Sequence, residues 1–118
     1  MEDQKKILLI DDNRTILKAM EKLLTNDGHE VFTSSDGREA IRIAAAEQPD
    51  LIISDVDMPE MDGGEVAAKL KESPKTKHIM VIFFTTLVTP DSNNSGKNVY
   101  ISKMTEHTEL LAEIHKYL

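Results

Sequence analysis

The sequence predicts a single α/β domain built on a parallel sheet that is covered by helices on both faces. Short, continuously apolar runs alternate with stretches in which apolar residues recur every three or four positions. The first pattern is typical of strands buried on both faces, and the second is typical of amphipathic helices. A length of 118 residues suits one domain with its own core. Because strands and helices alternate, parallel βαβ units are favoured.

Five strands are predicted. The clearest is the run Ile-Leu-Leu-Ile at 7–10. Residues 51–53 and 79–84 are similarly apolar, and 99–101 form a weaker copy of the same pattern. Residues 30–34 are more polar, so we expect this strand at an edge of the sheet.

Four helices are predicted between and after the strands, with apolar faces within 16–24, 40–45, 66–70 and 110–118. Their start signals are two pairs typical of capping boxes, Asp36 with Glu39 and Asp62 with Glu65. Their stop signals are the segments 26–28, 49 and 73–74. Residues 89–98 contain no apolar residue, so we expect a loop with at most one helical turn after Pro90.

Composition excludes several classes of function. Acidic residues number 21 and basic residues 14, and the net charge of -7 argues against direct nucleic-acid binding. The absence of cysteine excludes disulfides and thiolate chemistry. The first ten residues are too polar for a signal peptide or a membrane span, so we expect a cytoplasmic protein without a membrane partner. The four histidines show no metal-ligand spacing and are expected at the surface: His29, His78, His107 and His115.

Polar residues follow the predicted strands where each strand ends. Asp11 and Asp12 follow the first, Asp55 the third, Thr85 ends the fourth and Lys103 follows the fifth. Ligands of open parallel sheets bind beyond these carboxyl ends. Each residue alone has a simpler interpretation, such as a helix cap or a solvated charge. Together they predict an all-oxygen site for Mg²⁺, beside which an aspartate could form an acyl phosphate and a lysine could pair with the phosphoryl group.

Four segments carry a resemblance to a known family. Residues 7–12 read Ile-Leu-Leu-Ile-Asp-Asp, residues 51–59 read Leu-Ile-Ile-Ser-Asp-Val-Asp-Met-Pro, residues 61–63 read Met-Asp-Gly, and Lys103 follows Tyr100. They strongly resemble a response-regulator receiver domain over nearly the whole chain. The resemblance implies a doubly wound five-stranded sheet of order 2-1-3-4-5, in a flavodoxin-like, CheY-like three-layer sandwich. It also implies a two-component phosphorelay signalling protein that is not an enzyme, with residues 1–118 forming the receiver and no output domain.

The resemblance further implies the roles of the acidic residues. Asp55 matches the phospho-accepting aspartate. Asp11 and Asp12 match the acidic pair that holds Mg²⁺ together with Asp55. Asp57 matches the position whose backbone carbonyl completes the metal shell.

Three other residues and the partners follow from the same resemblance. Thr85 matches the hydroxyl that moves to the phosphoryl group, and Lys103 matches the lysine that pairs with it. Tyr100 stands where the family places an aromatic residue that turns inward on activation. The phosphate donor would be a histidine kinase or a phosphotransfer protein. The signal would pass to a downstream protein partner or to a separate output domain.

The chain departs from the family in two places. Thr85 and Lys103 are 18 positions apart, which is shorter than the family pattern. The missing residues fall where the fourth helix is expected, so we predict that this helix is missing or vestigial and that the usual output face is altered. Met104 stands where the family has proline, and we predict a trans Lys103–Met104 bond because a cis bond there costs about 2.5–4 kcal/mol.

Two other functions remain open at this point. A pseudo-receiver would keep the fold and bind proteins without phosphorylation, which the altered fourth-helix region favours. A small phosphatase of the haloacid dehalogenase type would use an Asp-x-Asp motif, which Asp55 and Asp57 superficially match. Pro59 argues against the phosphatase, which expects Thr or Val at that position.

Overall fold

The computed structural model describes residues 4–86 and 99–118 and contains the predicted five-stranded, all-parallel sheet. The strands are β1 (Lys6–Ile10), β2 (Glu30–Ser34), β3 (Leu51–Ser54), β4 (Met80–Thr85) and β5 (Val99–Ser102). Their spatial order is β2-β1-β3-β4-β5, as the family resemblance implied. The more polar β2 lies at an edge, which confirms the prediction for residues 30–34.

Within the described residues four helices cover the sheet: α1 (Arg14–Asn26), α2 (Gly37–Glu47), α3 (Gly63–Glu72) and α4 (His107–His115). The loop predicted at 89–98 and the missing or vestigial helix lie outside the described residues. None of the helices in the described part of the chain has the length and apolar character that a membrane span requires.

The core has two halves because every second side chain of a strand faces the same side of the sheet. In β1, Ile7 and Leu9 pack with α1 and α4, whereas Leu8 and Ile10 pack with α2 and α3. These four side chains are at most 2% exposed. Burial on both faces explains why the strand is continuously apolar instead of alternating.

The helix ends follow the predicted signals with one difference. The Asp36 side chain accepts a hydrogen bond from the Arg38 N–H, and the Asp62 side chain accepts one from the Glu65 N–H. The reciprocal bond of a capping box, from the cap N–H to the glutamate side chain, is made by neither pair in the described residues, and Glu39 instead accepts a hydrogen bond from the Ser34 hydroxyl. That hydroxyl also accepts the Asp36 N–H, so this helix start is held by β2 as well as by its own cap.

The prediction that all four histidines lie at the surface is wrong for His29, which is only 8% exposed. The residue lies directly before β2, at the end of the segment that joins α1 to β2, and its ring contacts Asp27 and His115. His115 belongs to α4, 86 positions later in the chain, so sequence spacing did not reveal this contact. His78, His107 and His115 are exposed, as predicted.

Candidate functional site

The predicted site residues from four strands lie at the carboxyl ends of the sheet. Asp11 and Asp55 directly follow β1 and β3, which are hydrogen-bonded neighbours. Carboxylate oxygens of Asp11, Asp12 and Asp55 all lie within 4.8 Å of one another. Asp11 is 4% exposed and Asp55 is 6% exposed, whereas Asp12 is open to solvent. The sheet therefore gathers an acidic cluster with one solvent-facing side.

Asp11 is fixed by hydrogen bonds to three separate elements. Its N–H donates to the Ser34 carbonyl at 3.1 Å, which ties it to the end of β2. Its Oδ1 accepts from the Asn13 N–H at 2.9 Å, and its Oδ2 accepts from the Lys103 ammonium at 2.8 Å. Asn13 also caps α1 through bonds from the N–H groups of Thr15 and Ile16. The start of α1 therefore orients this carboxylate, a function of Asn13 that the sequence interpretation missed.

Asp55 is held at the end of β3 by its N–H, which donates to the Ile10 carbonyl at 2.8 Å. Its Oδ1 accepts from the Val56 N–H at 2.9 Å and lies 3.3 Å from the Lys103 ammonium. Burial, and next the charge of Asp11, raises the pKa of Asp55, although Lys103 acts in the opposite direction. The charged form of Asp55 is thus disfavoured, and a second cation would stabilise it.

Lys103 bridges the two buried carboxylates. The backbone N–H of Lys103 donates to the Thr85 carbonyl at 2.9 Å, so the pairing of β4 with β5 continues as far as this lysine. Burial of the ammonium opposes its charge, but Asp11 and then Asp55 outweigh that cost and raise the pKa of Lys103. The ammonium therefore stays charged and supplies part of the positive charge that the cluster needs.

The Lys103–Met104 bond is trans, as predicted, since the described residues contain no cis peptide bond. The Met104 N–H donates to the Ser102 hydroxyl at 3.0 Å, a bond that proline could not make. The Met104 side chain is 74% exposed. Methionine at this position therefore anchors the loop to β5 by a main-chain bond.

Thr85 ends β4, whereas Tyr100 lies inside the neighbouring strand β5. Thr85 is 1% exposed and stands opposite Ser102 in the β4–β5 register. Tyr100 is half-buried and its ring stacks on Phe83, with ring centroids 5.3 Å apart. Thr85 thus lies at the carboxyl end of its strand, beside the lysine. Tyr100 lies two residues before Ser102, the last residue of β5.

Gly63 supports the Asp55 turn and was not assigned a role from the sequence. Its N–H donates to the Val56 carbonyl at 2.8 Å. A Cβ at this position would collide with the Asp55 carbonyl oxygen. The Met-Asp-Gly segment at 61–63 carried the signal, because a glycine beside a helix cap permits close backbone approach.

The remaining residues of this turn divide by exposure. Asp57 is exposed and its side chain lies outside the group formed by Asp11, Asp12 and Asp55. Met58 is 8% exposed in the core half beside α2 and α3, and Met61 packs against it, as expected for packing residues. The donors in the acidic cluster are all oxygen atoms, so the residues present fit a hard divalent cation.

A doubly wound parallel sheet with an acidic, lysine-bridged site at its carboxyl edge defines a class of α/β domain that binds ligands at this edge. Residues 7–115 match the family described as response regulator receiver domain, and the chain belongs to that family. It is thus a receiver domain of two-component signalling, a family of signalling proteins.

Three similar proteins place the chain within that family. It is 36% identical over 113 residues to the response regulator PleD of Caulobacter vibrioides, covering 92% of this chain and 25% of PleD. The Vibrio cholerae chemotaxis protein CheY4 superposes with a TM-score of 0.86 at 31% identity, over 98% of this chain and 99% of that chain. The receiver domain of the Pseudomonas aeruginosa sensor histidine kinase PA1611, solved with a magnesium ion in its active-site cleft, has a TM-score of 0.83 at 25% identity and 97% coverage of both chains. The chain spans about a quarter of the length of PleD.

Proposed function

We propose that this receiver domain accepts a phosphoryl group on Asp55 in a Mg²⁺-dependent reaction. The observation that carries the proposal is the acidic cluster. Oxygen atoms of two buried carboxylates and one exposed carboxylate lie within 4.8 Å of one another, and one ammonium bridges the two buried carboxylates. Membership of the receiver family supports the same conclusion.

Asp55 is the proposed nucleophile. One of its carboxylate oxygens attacks the phosphorus of a donor, such as the phosphohistidine of a histidine kinase or a phosphotransfer protein. A new O–P bond forms while the P–N bond of the donor breaks, and the imidazole nitrogen leaves with the bonding electron pair. Asp55 then carries an acyl phosphate. The hydrogen bond from the Val56 N–H fixes the carboxylate during this exchange.

Asp11, Asp12 and Asp55 are the proposed metal ligands, together with the backbone carbonyl of Asp57. Mg²⁺ prefers oxygen ligands and retains several waters, which suits a cluster with one exposed carboxylate. When bound, the ion would offset the charge of the transferred phosphoryl oxygens. Asp11 would then interact with two cations, the ion and the Lys103 ammonium.

Lys103 and Thr85 are the proposed partners of the phosphoryl group, and Tyr100 is the proposed switch residue. The Lys103 ammonium already lies 3.3 Å from Asp55 Oδ1, so it can follow an added phosphoryl group with little movement. The Thr85 hydroxyl would donate to that group, and the Tyr100 ring would then leave or adjust its stack on Phe83. A downstream protein or a separate output domain would respond to this change.

The decisive experiment is the intact mass of the protein after incubation with acetyl phosphate and Mg²⁺. We expect one added phosphoryl group in the wild type, loss of that addition in Asp55→Asn, and loss on chelation of Mg²⁺. Asp50→Asn is the matched control, since Asp50 is an exposed aspartate at the opposite ends of the strands, where it accepts the Lys6 N–H.

The same preparation separates the two other functions. A pseudo-receiver would bind no Mg²⁺ and gain no mass, which would overturn the proposal. A haloacid dehalogenase-type phosphatase would hydrolyse p-nitrophenyl phosphate with many turnovers per chain. A receiver would instead take up one phosphoryl group and release it slowly.

A further inference from the structure

A second group of metal-ligating side chains lies away from the acidic cluster, at the other end of the sheet. Asp27 is the C-terminal cap of α1, His29 precedes β2, and His115 is the last residue of α4. One ligand atom from each of these residues lies within 4.8 Å of the others. Asp27 Oδ2 is 2.9 Å from His29 Nε2 and 2.6 Å from His115 Nε2. The connection between α1 and β2 therefore meets the end of α4, which is remote from it in sequence.

We propose that Asp27, His29 and His115 form a binding site for a divalent transition-metal ion of the Zn²⁺ type. Two imidazole nitrogens and one carboxylate oxygen are donors that suit Zn²⁺, Cu²⁺ or Ni²⁺ and not Mg²⁺. The site is thus chemically distinct from the all-oxygen cluster around Asp55. Three protein ligands leave a fourth position for water.

The geometry needs only a small adjustment to receive the ion. In a tetrahedral zinc site with ligand bonds of about 2.1 Å, neighbouring ligand atoms are about 3.4 Å apart. The present separations of 2.6 and 2.9 Å from Asp27 Oδ2 are hydrogen bonds, so the ligand atoms must move apart by less than 1 Å. His29 has a side chain only 6% exposed and stays fixed, whereas the His115 side chain is 51% exposed and has room to move.

Two features of the surroundings oppose the ion, and both are weak. The Lys5 N–H donates to His29 Nδ1 at 3.3 Å, which favours a proton on Nε2 in the neutral ring. That bond is long and Lys5 is half-exposed, so water can take over its N–H when the metal moves the ring proton to Nδ1. The Lys5 side chain also borders the cleft, which Leu118 completes, but its flexible ammonium can turn into solvent.

Metal binding would join the end of α1 and the start of β2 to the last turn of α4. In the described structure these elements are linked here by the two hydrogen bonds of Asp27. Replacing those bonds by coordination would fasten the final helix to the body of the domain. The consequence is a domain in which the position of α4 depends on zinc.

Titration with ZnCl₂ in the presence of excess Mg²⁺ tests the site, because Mg²⁺ competes for the acidic cluster. Calorimetry should give one high-affinity Zn²⁺ per chain. The affinity should fall about 10-fold or more in His115→Ala and in Asp27→Asn, since even the loss of an outer-shell partner costs a metal site about 10–100-fold. His78→Ala, which removes an exposed histidine outside the group, should bind as the wild type does.

Histidine ring ¹⁵N spectra of the wild type identify the ligand atoms. One equivalent of Zn²⁺ should shift the Nε2 resonances of His29 and His115 and leave those of His78 and His107 in place. The proposal is overturned if His115→Ala and Asp27→Asn bind Zn²⁺ as tightly as the wild type. It is equally overturned if the titration shifts only amide resonances around Asp11 and Asp55.

Discussion

Replacing Lys103 by methionine removes the ammonium that bridges the two buried carboxylates while keeping a long apolar side chain. The ammonium lies 2.8 Å from Asp11 and 3.3 Å from Asp55. At an effective dielectric constant of about 20, each attraction is worth about 5–6 kcal/mol before the cost of burying the lysine is subtracted. Breaking a buried ion pair from one side costs about 3–5 kcal/mol of unfolding free energy. Because this site borders solvent through Asp12, we expect the lower end, about 3 kcal/mol, at pH 7 without Mg²⁺.

Urea unfolding with and without Mg²⁺ measures the effect. In the proposed site Mg²⁺ would supply the positive charge that Lys103→Met lacks, whereas in the wild type the ammonium already neutralises part of the cluster. A ligand that binds only the folded state stabilises it in proportion to the logarithm of its concentration over Kd. The gain in unfolding free energy on adding Mg²⁺ should therefore be larger in Lys103→Met than in the wild type.

The control is Lys116→Met, which breaks an exposed pair with Glu113 and should leave the unfolding midpoint unchanged with or without Mg²⁺. The loss caused by Lys103→Met should also shrink as the pH falls, because protonation of Asp55, whose pKa is raised, removes the repulsion from Asp11. Equal Mg²⁺ gains in Lys103→Met and the wild type would refute the reasoning. So would an unchanged stability of Lys103→Met at pH 7.

Three other predictions concern the same edge of the sheet. Gly63→Ala should cost about 1–3 kcal/mol of unfolding free energy, because the new Cβ would collide with the Asp55 carbonyl. The control, Gly64→Ala, should change the unfolding free energy little. Urea unfolding midpoints of the two variants measure the difference. Asp55→Asn should be more stable than the wild type at pH 7. The folded-state pKa of Asp55 is raised, so protonation of this residue favours the folded state. That contribution to the unfolding free energy is complete below the ordinary pKa of 3.8 and is lost as the pH rises through the raised value. The advantage of Asn should therefore vanish in melts at acidic pH, and a pH-independent advantage would contradict this. Asn13→Ala should cost about 1 kcal/mol of unfolding free energy, because it removes the side chain that caps α1. It should also weaken Mg²⁺ binding, because Asn13 orients Asp11. An unchanged Mg²⁺ affinity in calorimetry would show that capping and metal binding are independent.

Much of the fold could be predicted from local pattern. A strand buried on both faces has to be continuously apolar, so β1 and β3 were visible as runs of aliphatic residues. Helix starts were visible at Asp36 and Asp62 because a cap satisfies N–H groups only a few positions away. The strand order came from the resemblance to the receiver family, since periodicity says nothing about which strands are neighbours. The fourth-helix region between β4 and β5 remains a prediction.

The sequence by itself determined that Asp11, Asp55, Thr85 and Lys103 stand at strand ends, since that placement depends only on where each apolar run stops. Only the tertiary structure decided how those residues interact. The ammonium of Lys103 contacts both carboxylates because the sheet holds β5, β4, β3 and β1 side by side in that order.

The same limit applies at the opposite end of the sheet, where Asp27 and His115 meet across 88 positions of sequence. No local pattern encodes that contact, because it arises when α1 and α4 pack on the same face of the sheet. Local propensity and burial pattern depend on residues that are close in the sequence. Contacts between remote side chains exist only once the packing of whole elements has fixed their distances.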